Sequence, residues 1–246
     1  MDNSKKVPEK LGISIIIPVL HEANRINLII DHVYGQEFYE NYETIVVDAD
    51  PYGETINTIE RKEVKSILSP KGRALQMNAG AAAARGEILL FLHADTRLPD
   101  GALQKISSIM KQGQYVGGAF DLGIDSDKLA LRAIARAASL RSRLTRIPYG
   151  DQTIFILKDY FNKIGCYKNV PLMEDVELMQ RIKKAGDKVY IISDRVSTSP
   201  RRWEKEGIIY CSLRNIIISN LYFMGVSPDK LVRYYRRRHR DARKNH

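Results

Sequence analysis

Cysteine is scarce in this chain. Only Cys166 and Cys211 occur in 246 residues, far apart and outside any C-x-x-C pair. That argues against a disulfide framework and a cysteine-built zinc cage, and it fits a reducing compartment such as the cytoplasm. Long apolar runs are missing as well. No stretch of about 18 uncharged apolar residues exists, so no membrane-spanning helix is expected. Met1 to Lys10 is polar and lacks the apolar segment of a secretory signal. Acids are thin at one end. From Arg201 onward there are twelve Lys or Arg against four acids, which places +8 of the net +10 in the last fifth of the chain. A basic end of this kind suits an anionic surface, lipid or nucleic acid, or simply a solvated tail.

What is present is the pattern of an α/β protein. A hydrophobic content of 44% can fill a core, and there is no internal repeat or low-complexity linker. Ile13 to Val19, Glu43 to Asp48 and Ile88 to Leu92 are apolar runs that read as buried strands, with a shorter one near 64–68. Between them, helices are expected over roughly 25–35, with Asn24 as N-cap and Gly35 as stop, and over 73–84. Strand and helix alternate, which predicts a mostly parallel sheet with crossover helices. Further on, a glycine-bearing strand is expected at 116–120, and a helix at 127–146. A strand at 153–157, a short helix at 159–164, a helix ending at Ala185 and a strand at 188–192 follow. Ile208 to Val226 reads as an apolar helix. It could lie in a membrane interface and dock an anionic or lipid-linked acceptor, or pack on the domain or on a second subunit. The organisation expected is a polar tail 1–11, one domain over 12–205, and a C-terminal helix and basic tail over 206–246.

Several polar groups stand where such a sheet binds ligands. His93 and Asp95 follow the 88–92 strand, and strand alternation would send both to one side at the carboxyl edge. A hard divalent cation held there could carry phosphates. Asp48 and Asp50 end the second strand, where an acid can accept hydrogen bonds from a nucleoside. Lys71-Gly72-Arg73 opens a helix and would suit a phosphate. Glu174 and Asp175 begin another helix. Acids favour a first turn in any case, yet one of them could be a general base. Asp151, in Tyr149-Gly150-Asp151-Gln152, could orient an acceptor or cap a turn. Arg202 could bind a pyrophosphate, with Trp203 as a stacking or packing element.

Taken in order, these segments resemble the family 2 glycosyltransferases. The matching strings are Ser14-Ile15-Ile16-Ile17-Pro18 with Glu22 and Asn24, Val46-Val47-Asp48-Ala49-Asp50, Lys71-Gly72-Arg73 to Asn78-Ala79-Gly80, Phe91-Leu92-His93-Ala94-Asp95, Glu174-Asp175 and Arg202-Trp203. They span about residues 12–205 and look closest to a small subgroup without transmembrane helices. The resemblance implies the GT-A (nucleotide-diphospho-sugar transferase) fold and an inverting transfer of one sugar, from a UDP-sugar before other donors, to an unknown hydroxyl acceptor. It implies that Asp175, with Glu174 beside it, carries the base function. Pro18, Glu22, Asp48, Asp50, Lys71, Arg73 and Ala94 would line the donor nucleotide. Asp95 with His93 would hold Mn2+ or Mg2+, and Asp151, Arg202 and Trp203 would face acceptor or phosphate.

Two departures bear on this. His93 replaces the first Asp of the family's D-x-D motif, and imidazole accepts Mn2+ more readily than Mg2+. Ser199 stands where processive members carry Gln, which points to a single transfer. Rival readings are a nucleotidyltransferase-like or sugar-nucleotide-binding protein, and a basic module for nucleic acid or a membrane surface. A pyrophosphorylase would need a glycine-rich loop where Pro18-Val19-Leu20-His21 stands. A nucleic-acid module would leave Asp48, Asp95 and Asp175 unexplained. A cytoplasmic protein, peripheral at most to the inner membrane face, is the expectation, with a homodimer left open.

Overall fold

The structure is a computed structural model that describes residues 12–38 and 40–241, apart from the side chains of 235–241. The expected tail 1–11 and the last basic residues, Arg243 and Lys244, lie outside the described residues.

The first half is built from strands of β-branched residues joined by short crossovers. β1 (Ile13–Val19) leads through α1 (Ile26–Tyr34) to β2 (Tyr42–Asp48) and on to β3 (Lys65–Leu68). From there α2 (Arg73–Ala83) returns the chain to β4 (Ile88–Phe91). All four strands are parallel, with Val19 beside Asp48 and Ile16 beside Phe91. The second half adds β5 (Thr96–Arg97), α3 (Ala102–Met110), β6 (Gly117–Ile124), α4 (Leu129–Thr145), β7 (Phe155–Leu157), α5 (Lys158–Lys163) and α6 (Glu174–Lys184). Then come β8 (Val189–Thr198), α7 (Arg201–Glu206), α8 (Ile208–Phe223) and α9 (Pro228–Asp241). One sheet results, in the order β3-β2-β1-β4-β7-β6-β8-β5. Only β7 and β5 run against their neighbours. This is the mostly parallel sheet expected, with helices on both faces.

Side-chain alternation divides the core into two layers. Ile13, Ile15, Ile17 and Val46 face one side with α1 and α3, while Ile16, Ile45 and Val47 face the other with α2 and α6. In α1, Ile26, Ile29, Ile30 and Val33 recur at helical spacing and are buried. α2 uses small residues instead. A Cβ on Gly80 would collide with Ile16 and come 3.1 Å from Val47 Cγ2, so only glycine lets this helix lie so close to the sheet.

Some boundaries differ from expectation. α1 starts at Ile26, and main-chain N–H groups of Arg25 and Ile26 donate to Glu22 O, so Asn24 does not cap it. β8 continues to Thr198, past the expected end at 192. Its polar middle, Ser193-Asp194-Arg195, hides it in the sequence, and β6 pairs across it through a bulge after Phe120. α3 and β5 had no counterpart in the expected elements, and the basic segment forms α9.

Gly80→Val should lower the unfolding free energy by about 1–3 kcal/mol, measured as a shifted urea midpoint. An unchanged midpoint would mean that α2 can move off the sheet at no cost.

Candidate functional site

Parallel strands deliver their following loops to one edge, and the loops after β1, β2 and β4 meet there. The buried Gln76 of α2 fixes the spacing of the first two. Its Nε2 donates to Val19 O at 2.7 Å and to Val47 O at 2.8 Å. Asp48 is fully buried. Its Oδ1 accepts from Asp50 N, and its Oδ2 from Thr55 N and Ile56 N, at 2.9 to 3.2 Å. Both oxygens therefore shape the loop over 49–58. Asp50 is the more open acid of the pair, with Oδ1 accepting from Tyr52 N at 2.9 Å. Near it lie two residues that the sequence did not single out, His21 and Glu54. His21 Nδ1 and Glu54 Oε2 are 2.6 Å apart, and with Asp50 they bring three ligand atoms within 4.8 Å of one another.

β4 ends at Phe91, and Thr96 N–H donates to His93 O to close a turn. Strand alternation therefore stops short of His93 and Asp95, and the two side chains have different neighbours. Asp95 is exposed and faces Glu22. The Nη2 of Arg201 spans both, 3.6 Å from Asp95 Oδ2 and 3.8 Å from Glu22 Oε2. Burial, and then the charge of Asp95, raise the Glu22 pKa. Two facing carboxylates with a cationic group between them fit a cation-binding role. His93 turns inward instead, to Gly150. A Cβ on Gly150 would lie 3.2 Å from both His93 Nε2 and Asp175 Oδ2. Burial, Arg73 and Arg202 hold the His93 pKa well below its ordinary value, so the imidazole is neutral.

The turn 150–152 presents the remaining acids. Gln152 is its frame. Its Oε1 accepts from Ser142 Oγ and Tyr149 N, and its Nε2 donates to Phe120 O at 2.9 Å. The Arg141 guanidinium covers the Tyr149 ring at 3.4 Å from its centroid. Gly150 N–H donates to Asp175 Oδ2, and Val176 N–H donates to Asp175 Oδ1 at 2.8 Å. Asp175 is thus held at the start of α6, with lone pairs left on both oxygens. Its charge is felt around the site. Burial, and then Asp175, push Asp151 up to about 6. Burial raises Glu174, opposed by Arg73 and reinforced by Asp175. Arg73 Nη1 is 3.6 Å from Glu174 Oε1. Tyr167 is buried beside these acids and its phenol is raised well above its ordinary value. Asn78 of α2 clamps Tyr167 by donating to its O at 2.8 Å and accepting from its N at 3.0 Å.

The residues singled out from sequence therefore fall in three places. Asp151, Glu174, Asp175, His93, Arg73 and Arg202 share one electrostatic centre. Glu22 and Asp95 form a second group beside it, and Asp50 stands on the loop over 49–58. Pro18 is near the end of β1 and Ala94 is in the turn after β4, both partly buried. Lys71 is exposed ahead of α2. Trp203 is a core residue, so packing is its role here. Gln152, Tyr149 and Gln76 carry the geometry without looking catalytic. The string Tyr149-Gly150-Asp151-Gln152 was the only sign of the first two.

The chain thus carries a ligand-binding edge on a mostly parallel α/β sheet, with acids and arginines gathered at it. A profile of Glycosyl transferase family 2 matches residues 14–168, and the chain belongs to that family. Among solved structures it is similar to the mannosyltransferase PcManGT from Pyrobaculum calidifontis, in complex with GDP-Man and Mn2+. The TM-score is 0.61 at 18% identity, covering 77% of this chain and 56% of that one. This chain therefore spans little more than half of that protein. At such identity the likeness speaks for the fold, which is GT-A. No curated protein matches the chain. Among the described residues, no helix is long and apolar enough to cross a membrane.

The raised Asp151 carboxyl has a consequence for stability. Its folded pKa of about 6 lies above the ordinary 3.8, so its contribution is present in acid and is lost as pH rises through 6. Asp151→Asn does not titrate. It should be more stable than wild type by about 1–3 kcal/mol near neutral pH, and equal to it near pH 4. Melting curves across that range check this. Equal stability at both ends would place Asp151 in solvent.

Proposed function

We propose that the chain is a nucleotide-sugar glycosyltransferase that moves one sugar to a hydroxyl acceptor with inversion. The observation that carries this is the meeting of Asp175, Asp151 and Glu174 with Arg73, Arg202 and His93 at the carboxyl edge, in a member of Glycosyl transferase family 2.

Asp175 is the general base. Two main-chain N–H groups aim its carboxylate, and it takes the proton of the acceptor hydroxyl as that oxygen attacks the anomeric carbon. Attack comes from the face opposite the diphosphate, which leaves with the bonding pair. Arg73, Arg202 and Arg201 lie where that growing charge can be met, so they favour the transition state over the ground state. Glu174, buried against Arg73, positions that arginine. Asp151 and the neutral His93 face the acceptor side of Asp175. Pro18, Glu22 and Asp50 line the nucleoside, and Lys71 reaches the phosphates from the opening of α2.

A UDP-sugar is the donor we favour, and GDP-sugars form the second arm of the test. Asp95 and Glu22 would hold Mn2+ or Mg2+, without His93, whose ring faces Gly150 and Asp175. Such a cation would neutralise diphosphate charge. The transferase unit is 12–205, and 206–246 is an appendage whose basic end can touch an anionic membrane. Two free cysteines support a cytoplasmic setting.

The test uses calorimetry with UDP, GDP and their sugar conjugates, in Mn2+, Mg2+ or chelator. One nucleotide should bind in a metal-dependent way, and Asp95→Ala should abolish that dependence. Asp175→Asn should keep donor affinity and slow nucleotide release from the donor, with water as acceptor, by about 10²- to 10⁴-fold. Failure of every nucleotide to bind would overturn the reading.

A further inference from the structure

α4 and α8 pack against each other, and each leaves one long face unpartnered. On α4 the stripe is Leu129, Ala133, Ala137, Leu140 and Leu144, with Leu129 80% and Leu144 76% exposed. On α8 it is Ile209, Leu213, Ile216, Ile217 and Phe223, with Ile209 77% exposed. The spacings are helical, so each set lies along one face, broken on α8 by Asn220. α8 buries only Cys211, Arg214 and Ile218 on its other side. Ridges of this size on a soluble surface mark a docking face.

Charge decides what docks there. Neither helix contains a single acid. Arg132, Arg136 and Arg143 are exposed on α4 beside the leucines. Arg132 and Arg143 are themselves ion-paired, with Asp127 at 2.7 Å and Asp121 at 2.8 Å, and the buried Arg214 of α8 pairs with Glu206, so Arg136 is the exposed α4 arginine outside these pairs. α9 adds Lys230 and Arg233, and its sequence continues with Arg236, Arg237, Arg238 and Arg240. Between α8 and α9 lies an open cleft of about 610 Å³, lined by Leu221, Val226, Lys230, Arg233 and Tyr234. It sets apolar walls against two cations.

A second copy of the chain would set Arg136, Lys230 and Arg233 against their own copies across a two-fold axis, with no acid on α4 or α8 to pair them. An anionic bilayer meets both needs, because acyl chains take the ridges and headgroup phosphates take Arg136 and the cations of α9. We propose that α4 and α8 together form a docking face for an anionic membrane surface, with α9 and its cleft at the edge. This goes beyond the transferase reading and does not depend on it. It also differs from contact through the basic tail alone, because half of the apolar face lies on α4. That helix also carries Arg141 and Ser142, which hold the turn 150–152. Tyr149 Oη donates to Ser219 Oγ of α8 at 3.0 Å. The docking face therefore backs directly onto the elements that seat Asp175.

The experiment is co-sedimentation of the full chain with phosphatidylcholine vesicles, with and without phosphatidylglycerol. Sedimentation velocity is run on the same samples. Wild type should pellet with the mixed vesicles, remain in solution with phosphatidylcholine alone, and be released by salt raised towards about 1 M. The exposed pair Leu140→Glu and Leu144→Glu should weaken partitioning by roughly tenfold or more. Its melting curve and nucleotide binding should be unchanged, which separates this result from a failure of the catalytic reading. Wild type that stays in solution with both vesicles overturns the proposal. So does a dimer that the Leu140→Glu/Leu144→Glu variant dissociates, which would make a second copy the occupant. Vesicle binding that survives in that variant would assign the contact to the basic tail and also overturn it.

Discussion

The bond from Gly150 N–H to the Asp175 carboxylate joins the two parts of the site. Asp175 belongs to α6, which packs on one face of the sheet, and Gly150 belongs to the turn between α4 and β7. The turn brings Asp151 and α6 brings Glu174 and Asp175, and this bond ties the two together. The turn is itself over-determined: Gln152 ties it to β6 and to α4. A side chain at 150 would push between His93 and Asp175. Main-chain N–H groups, not side chains, thus set the position of Asp175.

Around that bond the site is a balance of charge at close quarters. Asp151, Glu174 and Asp175 would repel one another in the absence of counter-charge, and burial, reinforced by the charge of Asp175, raises the first two. Arg141, Arg202 and Arg73 oppose this by lowering Asp151, while burial, helped by Arg73 and Arg202, keeps His93 neutral. A second balance stands beside it, with Arg201 between Glu22 and Asp95. Both arrangements set arginines against clustered carboxylates at the carboxyl edge.

Much of the fold was legible because apolar periodicity is strong in buried parallel strands. Ile13–Val19 and the 88–92 run could be little else, and the glycines and prolines between them, Gly80 of α2 apart, fall outside helices and strands. β8 was cut short because its second half is polar and takes its pairing from β6, a contact that no local pattern announces. The cap expected from Asn24 failed for a related reason, since the main-chain oxygen of Glu22 already serves the first turn of α1. Asp48 looked like a ligand-binding acid because it ends a strand. Only the folded loop shows both of its oxygens engaged by backbone.

The sequence by itself determined the α/β architecture, the family, and which acids and arginines would gather at one edge. It could do so because strand direction and loop placement follow from hydrophobic pattern and connectivity. Tertiary structure decided which of them meet. His93 faces Gly150 while Asp95 faces Glu22 and Arg201, although one residue separates them, because a turn ends the alternation that a strand would have imposed. It also decided that the ridges of α4 and α8 lie outside the core. An amphipathic helix declares an apolar face, but whether the core has room for that face depends on volume already taken by the sheet and by other helices.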